Sequence, residues 1–430
     1  MRIGLQSWGT EGDLRPFLAL GQALQRRGHE VELVFTGVEG KDFSSLVRAA
    51  GVATRFVDDG YFVAHRAELA RRARASLKLG SPRRQFELIL ADLMDPVVDS
   101  MLAAARELAD RSDIVVGHFL SYTAAVAAAE RGRPFVLLAL QPVFASAHYP
   151  PSGAPGLGRW LNPILWRLAE SLMSAALRGR INSARTRCGL PALTRFKPAD
   201  LGDPRRVLVA VSPALFHRPP DFSPHIEVCG FLELAESEKV WEPEPHVARF
   251  LDSAPPVFLS FGSMFGVDDE LTMKSVEIFA AALFYSGTRG IVQAPKSVIA
   301  RAPQQDNLCY IERAPHAQLF PRCSVIVHHG GAGTMQSAVQ AGRGSVVVPH
   351  AADQFYWGDL LYARGVAAKP LKRSVLAARP LGRRIRAVLD DAAISARAGA
   401  LAAALRAESG AVRAAELIEQ AATAPPRAAG

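Results

Sequence analysis

The chain has 430 residues, 49% of them hydrophobic, which is enough for two hydrophobic cores rather than one. Its formal net charge of +9 suits an anionic small ligand, an acidic membrane surface or nucleic acid, and by itself selects none of them. Cys188, Cys229, Cys309 and Cys323 stand far apart with no CxxC pair, a pattern that argues against a zinc site or a disulfide framework and fits a reducing cytoplasm.

The opening MRIGLQSWG reads as a strand without a leader pattern, and no apolar run approaches the roughly 20 residues that cross a bilayer. A turn, Gly9 to Asp13, leads into a helix carrying Phe17, Leu18, Leu20 and Leu24, and Gly28 ends it before the strand Glu30 to Thr36. Strand, turn, helix, strand is a βαβ unit, whose parallel strands need a crossover helix. Further units come after it, with strands at Asp113 to Val116 and Pro134 to Leu140 around a helix from Ser121 to Glu130. Two insertions stand out: the arginine-rich helical stretch Tyr61 to Ser100, and a loop rich in proline and aromatics from Gln141 to Trp166. Val207 to Val211 reads as the last strand of a first domain, residues 1–213, and the proline-rich stretch 214–250 as a connection. A second α/β domain, 251–422, begins with the strand Val257 to Phe261 and continues through a helix near Leu271 to Phe284. Its further strands lie at Gly290 to Gln293, Cys309 to Ile311, Val325 to Val327 and Ser345 to Pro349, before alanine- and arginine-rich helices, with 423–430 as a frayed tail.

Ligands of open parallel sheets bind beyond the carboxyl ends of the strands, where the Gly-rich turns of this chain fall. In His328-His329-Gly330-Gly331-Ala332-Gly333-Thr334, backbone N–H groups at Gly331, Gly333 and Thr334 and a helix N-terminus suit a phosphate, with His329 as a further donor. A tight turn around a satisfied core histidine is the competing reading. Ser263, after another strand of that domain, offers a second hydroxyl. Asp353 and Gln354 suit sugar hydroxyls, or else a helix cap. Asp13 caps a helix or serves as a general base, and His118 stands just past a strand end. The chain has no GxxxxGK[ST], GxSxG, HExxH or Asp-x-Asp motif. This removes P-loop ATPases, α/β hydrolases and common metalloproteases, and disfavours a metal-chelated diphosphate.

With GTEGDLRPFLALGQAL at 9 to 24, FGSM at 261 to 264, RAPHAQLFPRC at 313 to 323, HHGGAGT at 328 to 334 and PHAADQFYWG at 349 to 358 in order, the chain resembles inverting nucleotide-sugar glycosyltransferases of GT-B architecture. The sterol-type branch is the nearest, beside the antibiotic and rhamnolipid enzymes. The resemblance implies two Rossmann-like parallel-sheet domains facing across a cleft. It also implies a donor site in which His329, Gly331, Gly333, Thr334 and Ser263 hold the diphosphate. Arg313, Pro315 and His316 then hold the nucleobase, and Asp353 and Gln354 the sugar. Asp13 falls at the position of the catalytic base, and His118 near the residue that supports it. The implied co-substrate is a nucleotide sugar, UDP-glucose first, with no metal and no other cofactor, and the acceptor is lipophilic: a sterol, terpenoid or polyketide. Pro142, Val143, Phe144, His148, Tyr149, Trp160 and Trp166 are the aromatic and apolar acceptor candidates.

Ser337 and Gly342-Arg343-Gly344 depart from the family pattern. Loss of an acidic ribose ligand at Ser337 weakens any preference for uridine over deoxythymidine, so a TDP-deoxysugar transferase is the alternative. A non-catalytic helper protein is the rival from another class. Nothing supports nucleic acid, since no recognition module is present. Arg71 to Arg84 reads as a solvated helix face or as a peripheral membrane contact.

Overall fold

A computed structural model describes residues 1–77, 82–202, 204–234, 241–262, 269–350 and 353–424. Two compact units emerge, Met1–Ser237 with Glu408–Gly430, and Glu238–Ala407. In the first unit the strands are β1 (Arg2–Gly9), β2 (Glu30–Gly37), β3 (Ala53–Phe56), β4 (Ile114–His118), β5 (Phe135–Ala139), β6 (Arg206–Val209) and β7 (Ile226–Val228). Among the described residues they form one parallel sheet, ordered β3-β2-β1-β4-β5-β6-β7. In the second unit β8 (Val257–Leu259), β9 (Gly290–Gln293), β10 (Leu308–Ile311), β11 (Val325–His328) and β12 (Gly344–Val347) form a parallel sheet ordered β10-β9-β8-β11-β12.

The central strands are apolar runs rather than alternating ones because helices cover both faces. β4, β5 and β11 are buried at every position, and Ile3 of β1 pairs with Val31 on one side and Ile114 on the other. In the second unit Val325 and Val327 face one core with Phe279, Leu283 and Ile385. Ile326 faces the opposite core with Phe258, Ile291 and Phe320.

The boundaries differ from those expected in three ways. β7 adds a strand beyond residue 213, because the turn after β6 returns the chain to the sheet edge with Val207 opposite Ile226. The helix Pro245–Ser253 buries Val247 and Leu251 in the second unit's core, so the connection is shorter than 214–250. The last helix, Gly410–Thr423, joins the first unit rather than the second. Its Ala414, Leu417, Ile418 and Ala421 enter the core formed by Phe17, Leu20, Leu24 and Leu208. Glu419 then fixes the helix, accepting from Arg27 Nε at 2.8 Å and pairing with His29 Nε2 at 2.7 Å. Most of the expected tail, residues 425–430, lies outside the described residues. Among the described residues no helix is long and apolar enough to cross a membrane.

Candidate active site

Each sheet has one place where the strand order reverses direction, and there the loops after two neighbouring strands diverge to leave a crevice. In the first unit this place lies between β1 and β4, and in the second between β8 and β11. Asp13 and His118 stand at the first of these places, and His329, Gly331, Gly333 and Thr334 at the second.

In the first crevice Thr10 caps the helix Glu11–Arg26, and Asp13 completes a capping box. Asp13 Oδ2 accepts from the Thr10 N–H at 2.8 Å and from its hydroxyl at 3.1 Å. The other carboxylate oxygen lies 3.8 Å from Nε2 of His118 at the end of β4. Capping and chemistry are therefore not exclusive, since the two oxygens face different partners. Gly9 makes this possible. At φ 140° it adopts a conformation that side chains avoid, and a Cβ there would stand 2.2 Å from Asp13 Oδ2. The His118 side chain is only 4% exposed, against 27% for Asp13, and burial drives its pKa down to about 3. Its Nδ1 accepts the Leu120 N–H at 3.4 Å, so a neutral ring turns its Nε2–H toward the carboxylate. Phe17 and Phe119 hold the ring edge-on at 6.3 and 4.7 Å.

The second crevice is built differently. β8 runs into Phe261 and Gly262, and β11 into His328, His329, Gly330 and Gly331. His329 is buried between two glycines. A Cβ on Gly262 would approach its Cε1 to 2.9 Å, and one on Gly331 would approach its Nε2 to 2.4 Å. Burial lowers the His329 pKa to about 4, so the ring is neutral, and its Nδ1 has no partner among the described residues. His328, which the sequence offered only as half of a pair, accepts the Gly330 N–H on Nδ1 at 3.1 Å. Its Nε2 is buried without a partner among the described residues, and burial lowers the ring's pKa to about 3. Two unpartnered ring nitrogens this deep each cost roughly 1–3 kcal/mol unless something pairs with them. Beside them begins the helix Ala332–Gln340, whose N-cap Gly331 provides no side-chain cap. The N–H groups of its first turn, including Gly333 and the half-buried Thr334, carry the positive end of the helix dipole. Ser263 lies outside the described residues.

Asp353 and Gln354 stand where β12 leads into the helix Gln354–Ala363. Asp353 is the N-cap residue, yet its side chain makes no capping bond. It accepts instead from Trp357 Nε1 at 2.9 Å, and burial raises its pKa to about 6 against that bond. Gln354 Oε1 accepts the backbone N–H of His350 at 2.8 Å. No sequence motif singled out His350, whose ring packs on Phe261 at 4.7 Å and stands 6.4 Å from His329. Its Nδ1 bonds to Val348 O at 2.8 Å, which leaves the Nε2 lone pair as an acceptor. Arg373 likewise carried no sequence signal. Its guanidinium lies 5.4 Å from the Phe261 ring and donates to Ser275. His350 lies in the PHAADQFYWG block, whereas Arg373 comes from a later loop, and the fold brings both to Phe261. In the expected base-binding loop Arg313 is exposed and Pro315 caps a short helix, His316–Leu319. The His316 ring stacks on Phe320 at 4.3 Å.

Residues 3–137 match the glycosyltransferase family 28 N-terminal domain, and residues 292–420 match the erythromycin biosynthesis protein CIII-like C-terminal domain. Over 98% of its length the chain is 31% identical to the O-mycaminosyltylonolide 6-deoxyallosyltransferase of Streptomyces fradiae, 97% of which is covered. The chain belongs to the GT-B glycosyltransferases. It is also 28% identical over 91% of its length to a sterol 3-beta-glucosyltransferase of Arabidopsis thaliana, of which it spans 63%. Among solved structures, the glycotransferase of kitacinnamycin has the same fold, with a TM-score of 0.68, 21% identity and 98% of each chain covered. The glycosyltransferase VinC in complex with DTDP gives a TM-score of 0.68 at 19% identity, over 98% of this chain and 99% of the other.

Four acceptor candidates of this glycosyltransferase separate by burial. Phe144 and Tyr149 are buried in an aromatic cluster with Phe216, Phe222 and Trp166, with Tyr149 5.2 Å from Phe216 and 5.5 Å from Trp166. Trp166 Nε1 donates to Tyr149 O at 2.8 Å. These side chains pack the insertion against the connection between β6 and β7. His148 and Trp160 are exposed.

Proposed function

We propose that the glycosyltransferase is an inverting, metal-independent enzyme that moves a hexose from a nucleotide diphosphate sugar, UDP-glucose first, to a hydroxyl of a lipophilic acceptor. The observation that carries this reading is His329, a buried neutral imidazole with an unpartnered nitrogen, clamped by two glycines beside an uncapped helix N-terminus. Such a ring donates a hydrogen bond without needing a proton from solvent. As the anomeric bond breaks, charge grows on the β-phosphate, and His329, Thr334 and the amides of the first helical turn are fixed beforehand to receive it. Asp13 takes the acceptor proton. It is the partly exposed member of its pair, whereas His118 is sealed in the core and acts as a positioning residue that orients the carboxylate. The acceptor oxygen bonds to the anomeric carbon on the face opposite the departing diphosphate, so configuration inverts with no covalent intermediate on the enzyme. Asp353 and Gln354 hold sugar hydroxyls, with His350 Nε2 as a further acceptor beside them.

A second donor reading, a thymidine diphosphate deoxysugar, has its own support. Ser337 stands where a ribose-binding acid would be, and its hydroxyl is turned into its own helix, donating to Gly333 O at 3.0 Å. A relative 31% identical is named a 6-deoxyallosyltransferase. Thermal-shift titration with UDP, TDP and GDP sugars, followed by mass spectrometry of reactions with pooled sterols and polyketides, tests both. The expected result is stabilisation by one nucleotide diphosphate class and a hexose-sized mass gain on an acceptor. Failure of every nucleotide diphosphate to stabilise the protein overturns the donor site.

A further inference from the structure

The helix Asn162–Arg187 is apolar on two sides. One side, through Trp166, Leu177, Ile181 and Ala184, is buried in the first unit. The other bears Leu161, Ile164 and Leu168, three and four residues apart and therefore on one stripe. Ile164 is 57% exposed and Leu168 59%, and the turn before the helix adds the exposed Leu157 and Trp160, the latter 93% exposed. Single exposed apolar residues need no explanation, but five within twelve residues form a patch. Between Pro150 and Ala169 there is no aspartate or glutamate, while Arg159 and Arg167 are exposed. The arginine stretch Arg71 to Arg84, read as a solvated helix face or as a membrane contact, is less suited to the task. Arg72 is already paired with Glu68 at 2.6 Å and Asp92 at 2.8 Å, and residues 78–81 lie outside the described residues.

We propose that Leu157 to Leu168 is an interfacial docking surface for an anionic phospholipid bilayer. The apolar stripe enters the headgroup–acyl boundary, Trp160 lies at the interface, and Arg159 and Arg167 meet lipid phosphates. A second copy of the chain is a poorer occupant, since a two-fold contact through this patch would bring like-charged arginines together, with Glu170, the nearest acid, half-buried on the opposite side of the helix from the stripe. The surface deepens the lipophilic-acceptor reading, because a sterol-like acceptor is held in a bilayer. It does not depend on the donor assignment.

The full chain is floated with phosphatidylcholine vesicles, with and without phosphatidylglycerol, and quenching of tryptophan fluorescence by brominated lipid is recorded. Binding is expected on the anionic vesicles, weakening with salt, with quenching reduced in Trp160→Phe. Arg159→Gln and Arg167→Gln should each lower partitioning about fivefold. The double variant Ile164→Glu, Leu168→Glu should lower it more than about tenfold, while keeping the nucleotide-diphosphate thermal shift and turnover on a water-soluble acceptor. Absence of flotation by the natural chain overturns the proposal, as does undiminished flotation of the double variant. A dimer that the double variant dissolves assigns the patch to a second copy, and loss of soluble-acceptor turnover with flotation intact assigns it to the acceptor wall; either result also overturns it. Flotation without any nucleotide-diphosphate shift defeats the glycosyl-transfer reading and supports the membrane surface.

Discussion

The two crevices occupy the same topological position, yet one is internally satisfied and the other is not. Beyond β1 and β4, Asp13 has the Thr10 amide and hydroxyl on one oxygen and His118 beside the other. Beyond β8 and β11, His328 and His329 each keep a buried ring nitrogen without a partner among the described residues, beside a helix N-terminus with no side-chain cap. A site that moves a proton needs its carboxylate held in place in the resting enzyme. A site that binds an anion needs donors held in reserve. On the proposed roles the same fold serves both, because the loop beyond each strand decides the chemistry and the strand only carries it there.

The largest effect should come from breaking the first crevice. Asp13→Asn keeps an oxygen for the Thr10 cap, so the protein should melt within about 1 kcal/mol of the natural chain while kcat falls about 10²- to 10⁴-fold. Donor affinity by calorimetry should not change. Near-normal turnover would remove Asp13 as the base. His329→Leu removes the reserved donor, and kcat is expected to drop about 10²- to 10³-fold together with weaker nucleotide-diphosphate binding. If only stability changes, the ring is a core residue and the contrast between the crevices fails. Gly331→Ala sharpens the contrast without removing any polar atom. Its Cβ would press on His329 Nε2 at 2.4 Å, so kcat should fall with the ring displaced, and stability should drop by about 1–3 kcal/mol.

The mildest probe is pH. His118, His328 and His350 are held near pKa values of about 3 and His329 near about 4, in each case chiefly by burial. Unfolded imidazoles take up protons below about 6.5, whereas these do not, so the unfolded chain binds more protons in that range. Stability is therefore present above about pH 6.5 and is lost as pH falls toward 4, by up to about 1.4 kcal/mol per pH unit per ring. Asp353, raised to about 6 by burial, acts in the opposite sense, since the folded carboxylate protonates first and gains stability as pH drops through 6. With three rings in the second unit against this one carboxylate, urea midpoints measured at pH 7.5 and pH 5 should fall on acidification. A flat profile would mean that the rings are solvated.

Much of this was legible in the sequence. Apolar runs flanked by glycine located β1, β2, β4, β5 and the second sheet to within a residue or two, because strands buried on both faces have no other composition open to them. The Gly-rich motif located His329 because closeness to the backbone demands glycine on both sides. β3 and β7 were not legible, being short and largely half-buried. The aromatics Phe144 and Tyr149 were read as a pocket, since composition does not say whether a ring faces a ligand or Phe216. His350 and Arg373 escaped notice because only packing brings them to Phe261. The allegiance of the last helix was hidden too, as an alanine-rich amphipathic pattern declares a buried face without saying whose core receives it.

That last helix has a consequence for how the protein is made. Residues 414 to 421 supply part of the core around Phe17, Leu24 and Leu208, so the first unit lacks one wall until a segment that follows the whole second unit has been made. Domains generally fold as they leave the ribosome, the N-terminal one first. Here the second unit is inserted within the first, so the residues that close its core are all made before the helix Gly410–Thr423, which covers one apolar face of the helix Glu11–Arg26.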